Sequence, residues 1–404
     1  MLESIYIGLT GLTGYSKNLS VIGNNVSNLN TVGFKTSQLL FANLYYRTQF
    51  GDNASTGGQQ PLELGTGLGT AGTTLVFKQG ELRATGNDQD VAIDGNGFFV
   101  LRRDGQTFYS RAGQFSFDAE GYLVAAADTR VAALVGNTLQ DINIKGDRTN
   151  SGKPTARVEF LGTLNNNVSP TAPFTVAGIT VYDSLGQPRI GTVSFTNNVA
   201  VTPGSWLVAV KDQAGNSVAS GEIRFNGDGT PAAGFNSLSF DLNPEGAAAS
   251  TVNLFFGDPG TASGTRSLSA SSSDVRVGTQ DGFGVGALVK ASFDANGQLV
   301  VSYSNGQTAK FDKLALASFN HLQGLSPLEG NLFSAGLDEA PTLGTASQGP
   351  FGKIAGSQVE LGNVDLAQEF SDLIVTQRGY QAASQVLSTA NEMIQQLYDI
   401  KARR

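Results

Sequence analysis

The sequence predicts an α+β fold, mainly β: two nested all-β domains, with N- and C-terminal helices that pair as an α-helical, coiled-coil-like domain. Three observations predict it. Apolar residues recur at helical spacing at both ends of the chain. Between the ends the period falls to two, with Gly- and Asn-containing turns. In the middle the composition shifts to Ser, Thr, Asn, Gly and Ala, and strand-like runs of the earlier kind resume after it.

The first helix is read over residues 1–30. Leu2, Ile5, Leu9, Leu12, Leu19 and Val26 keep a three-four rhythm, with Ser16 and Gly23 in the vacant positions and only Glu3 and Lys17 charged. Gly8, Gly11 and Gly14 recur every three residues, each costing about 1 kcal/mol relative to Ala in a helix interior. Such a helix is expected to order on contact with a partner.

The last helix is read over 364–404. Leu373, Tyr380, Leu387 and Ile394 stand seven apart, after Leu366 and Phe370. A second stripe runs through Ala383, Val386, Ala390, Met393, Leu397 and Ile400. Asp365 is the expected N-cap with Gln368 three later, and Glu369 and Asp372 suit the positive end of the helix dipole. Lys401, Arg403 and Arg404 suit the other end. Together the stripes cover more than half the circumference, and residues 379–391 carry no charge. Two packings satisfy this pattern: the helices on each other within one chain, or on other copies. The lack of charge over whole turns favours other copies.

Residues 31–72 and 330–363 are read as connecting segments, with 51–72 a loop or extended stretch rich in Gly, Thr, Ser and Gln. The first β domain is read over 73–145 and 283–329, punctuated by Asp94-Gly95, Asn96-Gly97 and Asp104-Gly105. The inserted β domain is read over 146–282. Its strand-like runs are 157–161, 179–182, 191–195, 206–210, 222–225, 238–242 and 252–255, with turns at Asn226-Gly227 and Asp228-Gly229.

Composition narrows the function. A net charge of −8 argues against a nucleic-acid partner. With no Cys and one His, thiol catalysis, disulfides and multi-His zinc sites are out. No run is long and apolar enough to insert in a membrane, and the start lacks the pattern of a cleaved Sec signal peptide. Gly67-Leu-Gly69-Thr-Ala-Gly72 matches the dinucleotide fingerprint in the wrong context, since a strand-like run follows it. It reads as a turn-rich segment. Asp241-Leu-Asn243-Pro-Glu245-Gly246 opens like a calcium loop, but Val252 stands where the bidentate Glu belongs, so it reads as a plain loop. His321 has no Ser in a nucleophile elbow to serve. No catalytic, cofactor-binding or metal-binding residues are assigned, and no cofactor is expected. A secreted carbohydrate-active β protein remains the rival from another class, since scattered Asp and Glu can meet in space.

Three motifs carry a resemblance. Ile22-Gly23-Asn24-Asn25-Val26-Ser27-Asn28-Leu29-Asn30-Thr31-Val32-Gly33-Phe34-Lys35 resembles the N-terminal signature of bacterial flagellar rod and hook proteins. The family more often has Tyr at the place of Phe34 and Ala at that of Gly23. Val359-Glu360-Leu361-Gly362-Asn363-Val364-Asp365-Leu366, Gln377-Arg378-Gly379-Tyr380-Gln381-Ala382 and 388–393 resemble its C-terminal signature. Asp90-Val91-Ala92-Ile93-Asp94-Gly95-Asn96-Gly97-Phe98-Phe99 and Ser110-Arg111-Ala112-Gly113-Gln114-Phe115 resemble its first β domain.

The resemblance implies a non-enzymatic, self-assembling structural subunit. The size of the inserted domain matches the hook members, which form a flexible tube carrying torque from rod to filament. A rod protein with an enlarged outer domain is the alternative within the family. It further implies terminal helices as inner tube, first β domain as middle layer and inserted domain as outer surface, outside the cell. It implies export through the flagellar type III apparatus. The partners implied are further copies, the distal rod, the hook cap and the hook–filament junction proteins.

Overall fold

In a computed structural model the described residues are 2–44, 46–49, 62–65, 67–169, 171–336 and 339–402. Helix α1 spans Leu2–Ser27 and helix α2 spans Leu366–Ala402. Asp365 caps α2: its Oδ1 accepts the backbone N–H groups of Ala367 and Gln368 at 2.9 and 3.2 Å. Gln368 does not complete a capping box; its side chain donates forward to Asp372 at 3.0 Å. Arg403 and Arg404 lie outside the described residues.

The chain forms two compact units. The first comprises Met1–Lys145, Ala291–Val300 and Lys310–Arg404; the second comprises Gly146–Lys290 and Val301–Ala309. The chain passes between them at residue 145 and within strands Gly286–Phe293, Gln298–Tyr303 and Thr308–Lys313.

In the first unit, α1 and α2 pack together, and a two-stranded sheet lies on α1. Its strands are β1, Ser37–Asn43, and β2, Leu68–Leu75, antiparallel with a register shift between Leu40 and Phe41. So most of the Gly67–Gly72 motif is strand, where the sequence suggested turns. Its glycines do not pack as a strand's apolar face would, which hides the strand from pattern. What holds it is polar: Leu68 N–H donates to Thr10 Oγ1 at 3.2 Å, and Lys17 Nζ to Thr70 Oγ1 at 3.2 Å. The expectation of a loop over residues 51–61 falls outside the described residues.

The rest of the unit is built on a ten-stranded sheet around Phe98–Arg103, which pairs with Gln106–Ser110, Arg130–Val135 and Leu316–Ser318. Phe77, Phe98, Tyr109, Phe319 and Phe333 form edge-to-face ring contacts with centroids 4.8–5.9 Å apart. Strand Leu332–Ala335 extends this sheet beyond residue 329, and Lys353–Gly356 pairs with Val91–Asp94.

The second unit contains a four-stranded meander, Phe174–Tyr182, Pro188–Asn197, Ser205–Asp212 and Ser217–Arg224. Its other sheet is built on Arg157–Asn165 with Ser250–Phe255, Ser237–Leu242, Thr265–Leu268 and Arg276–Gln280. Alternation places Phe160, Leu164, Phe195, Trp206, Val208 and Leu254 in one buried core. The Trp206 indole N–H donates to Ser267 Oγ at 3.1 Å. The calcium-like loop begins on a strand: Asp241 pairs with Thr251 and accepts its hydroxyl at 2.7 Å.

Candidate self-assembly surface

The helix pair is close because its seam is made of small residues. A Cβ at Gly8 would stand 3.3 Å from the Ala383 carbonyl oxygen, and one at Gly11 3.3 Å from Ala383 Cβ. A Cβ at Gly379 would stand 2.6 Å from Cζ of the Tyr15 ring, where no side chain fits. Gly14 serves the other flank, its missing Cβ 3.0 Å from Leu68 and 3.3 Å from Phe41. The glycine repeat that sequence reads as a helix-weakening feature is thus also the surface that lets the backbones approach. The signal was present in its strict spacing. Polar ties continue the seam: Asn18 Nδ2 donates to Thr376 Oγ1 at 2.8 Å and Asn25 Nδ2 to Glu369 Oε1 at 3.0 Å.

The structure sorts the apolar stripes. Ile5, Leu12, Leu19, Val26, Leu373, Leu387 and Ile394 are half-buried, and Ile22, Thr376 and Ala390 are buried. The Leu2 side chain lies outside what is described. Leu9 is 52% exposed and Tyr380 40%, although each belongs to a predicted stripe. Val375, Val386, Met393, Leu397 and Ile400 lie in the open, with Val375 68% exposed and Ile400 64%. A row of large apolar side chains left exposed along a helix marks an interaction surface.

Glu369 adds a pH dependence. Burial pushes its carboxyl above the usual 4.5, Asp372 and Asp365 push the same way, and the Asn25 hydrogen bond opposes them. A carboxyl that binds its proton more tightly when folded contributes stability that is complete below its unfolded pKa. That contribution is lost as pH rises through the raised folded value. Glu369→Gln keeps the acceptor for Asn25, so denaturant unfolding should show a gain at neutral pH and a flatter pH profile above 4.5.

The three motif segments meet beneath this helix pair. Lys35 Nζ lies 2.5 Å from Glu360 Oε1, and Arg111 Nη1 3.1 Å from Glu360 Oε2, all three side chains buried. Gly80 N–H also donates to Glu360 Oε1 at 2.9 Å; Lys35 donates to the Lys78 carbonyl and Arg111 to that of Gly95, each at 2.9 Å. Burial lowers the pKa of both cations, outweighing the pull of Glu360. Gly33 is left-handed at φ 72°, and a Cβ there would stand 2.5 Å from the Ala112 backbone nitrogen. Its N–H donates to the Glu360 carbonyl at 2.8 Å.

Some of the remaining motif residues bond near the same junction, and others do not. Asn25 is buried and bonds Ser37 through both side-chain atoms; Thr31 donates to Asn28 Oδ1 at 3.0 Å; Asn28 Nδ2 donates to Asn24 Oδ1 at 3.1 Å. Phe34 is half-buried, while Asn30, Gln377 and Arg378 are exposed. Sequence reasoning did not single out Glu360 and Arg111 as partners of Lys35. The available signal was that Lys35 and Arg111 are the lone charges of their motifs.

Among the described residues no three or more His, Asp or Glu cluster as metal ligands.

Four family models match in chain order: "Flagella basal body rod protein" at 5–35 and "Flagellar hook protein FlgE/F/G D1 domain" at 92–152. "Flagellar basal body protein FlaE D2 domain" matches 163–283 and "Flagellar basal body rod FlgEFG protein C-terminal" 356–400. The chain is 30% identical over 468 residues to the flagellar hook protein FlgE of Treponema pallidum, spanning 99% of this chain and 100% of that one. To FlgE of Borreliella burgdorferi it is 29% identical over 445 residues, with the same coverage. The crystal structure of Helicobacter pylori flagellar hook protein FlgE2 aligns with a TM-score of 0.47 at 14% identity, over 70% of this chain and 100% of that one.

Proposed function

This chain belongs to the flagellar hook protein family and is a structural subunit of the flagellar hook, and from that premise we propose that its paired terminal helices, 1–30 and 364–404, are the polymer-forming element. The observation that carries this is the exposed apolar face of α1 and α2: Leu9, Val375, Tyr380, Val386, Met393 and Leu397 stand in solvent in the single chain. Other copies cover them in the tube. The half-buried Ile5, Leu12, Leu19, Val26, Leu373, Leu387 and Ile394 hold the pair together for that contact.

In this reading residues 73–145 and 283–329 form the middle layer and 146–282 the outer one, with 31–72 and 330–363 connecting, except that 283–290 and 301–309 go with the second unit and strand Leu332–Ala335 with the first unit's sheet. The assembled tube is a flexible joint that passes torque from rod to filament and catalyses nothing. Its ends meet the distal rod, the hook cap and the junction proteins, and the flagellar export apparatus delivers its subunits to the outside of the cell.

The purified protein under polymerising conditions should give tubes in electron microscopy; a protein that stays monomeric throughout would defeat the reading. Replacing 146–282 by a short Gly/Ser bridge tests the layering. Thinner tubes of altered curvature are expected, with circular dichroism confirming a folded β domain. A folded variant that forms no tube would make the inserted domain part of the assembly core.

A further inference from the structure

Between α1, α2 and the start of β2 lies an apolar groove of 370 Å³. Its floor is Gly8, Gly11, Gly379, Ala382 and Ala383, with Ile7, Tyr15, Leu68 and Val386 as walls. On a helical projection Val375, Gly379, Ala382, Val386, Met393, Leu397 and Ile400 fall on one side of α2, at steps of four, three, four, seven, four and three. This stripe has two halves. Where it borders the groove Gly379 and Ala382 are small; toward the C-terminal end Met393, Leu397 and Ile400 are large and exposed.

We propose that the Met393–Leu397–Ile400 ridge of one copy seats in the Gly8–Gly11–Gly379–Ala382 groove of the next. This rests on the reading of the terminal helices as the polymer-forming element. One half is lined by small residues and the other carries large exposed ones, and the named residues of both are apolar and uncharged. They sit at different places on the same molecule, so one pairing leaves a free groove at one end and a free ridge at the other. Such a heterologous contact propagates as a filament wherever the rotation between copies does not close it into a ring. Ridge and groove share one side of α2, so an antiparallel pair would close as a dimer; multimers beyond the dimer mark the parallel, offset pairing. From Ala382 to Leu397 is fifteen residues, so parallel copies would be offset by about 22 Å along the helix axis.

The chain contains no Cys, so an engineered pair reports only on the contact it tests. Ala382→Cys and Leu397→Cys in one chain should yield a ladder of covalent multimers when assembled tubes are oxidised, while each single variant yields none. Tubes that form without a ladder, or a single variant that dimerises, would overturn the pairing.

A size cycle covers the case in which the double-cysteine chain does not assemble. Ala382→Leu fills the groove and Leu397→Ala flattens the ridge. Each should raise the critical concentration by at least about fivefold, with the double variant well below the product of the two. Additive effects would overturn the proposal. A wild-type chain that forms no tubes would instead fault the polymer reading itself.

Discussion

Replacing Glu360 with Ala should cost the first unit about 3–5 kcal/mol, the penalty for leaving buried charge without its partner. Among the described residues Glu360 is the anion paired with both Lys35 and Arg111, and both cations are inside the protein. The substitution also strips an acceptor from the Gly80 N–H. Lys35, whose pKa burial already lowers, can shed its proton, so the deficit should shrink as pH rises; Arg111 cannot. Set against a typical total of 5–15 kcal/mol, the loss is large. The measurement has an internal control. The chain's one tryptophan, Trp206, is buried in the second unit, so its fluorescence transition should stay in place while the circular dichroism transition of the first unit moves to lower denaturant. Coincident, unshifted transitions in Glu360→Ala would refute the assignment. Glu360→Gln, which keeps the shape and an acceptor, should fall between.

The second large effect is on assembly. Tyr380→Asp should abolish tubes while leaving the melting of the single chain within about 0.5 kcal/mol of wild type. The side chain is 40% exposed in the single chain, so the new charge stays hydrated there. In the tube it would be buried under another copy without a partner, a cost that association cannot absorb. Leu387→Asp must behave differently. Leu387 is half-buried against Gly8, so its loss should loosen the helix pair within the chain, by about 2–5 kcal/mol, before any second copy arrives. Sedimentation with circular dichroism separates the two. A Tyr380→Asp chain that still forms tubes would remove Tyr380 from the interface.

The contrast between these two residues shows where pattern reading stops. Both belong to one heptad stripe, and spacing alone gives them the same role. A stripe wider than half the circumference says that several faces are covered, not which neighbour covers each. The helices themselves were legible because their period runs for many turns without Pro. Strands such as Phe98–Arg103 and Arg157–Asn165 were legible from their apolar residues and flanking turns. The first part of strand β2 was not: Leu68-Gly-Thr-Ala-Gly72 has no apolar alternation, and hydroxyl contacts to α1 anchor it, while its end from Thr73 reads as strand-like. Gly379 was illegible for another reason. A glycine in a helix reads as a propensity penalty until the ring of Tyr15 is placed against it. The Lys35–Glu360 pair spans 325 residues, and no local rule proposes it.

That separation has a kinetic consequence. A contact closing so long a loop is formed late, since the entropy of closure must be met before the contact can reward it. Lys35 arrives near one end of the chain and Glu360 near the other. Whichever end enters a folding compartment first, it waits with its charge unmatched until almost the entire polypeptide has followed. A truncated chain lacking Glu360 cannot complete the first unit, whatever local helix and strand it forms. The buried triad therefore ties the two ends of the chain: the junction beneath the helices locks only in a molecule that carries Lys35, Arg111 and Glu360 together.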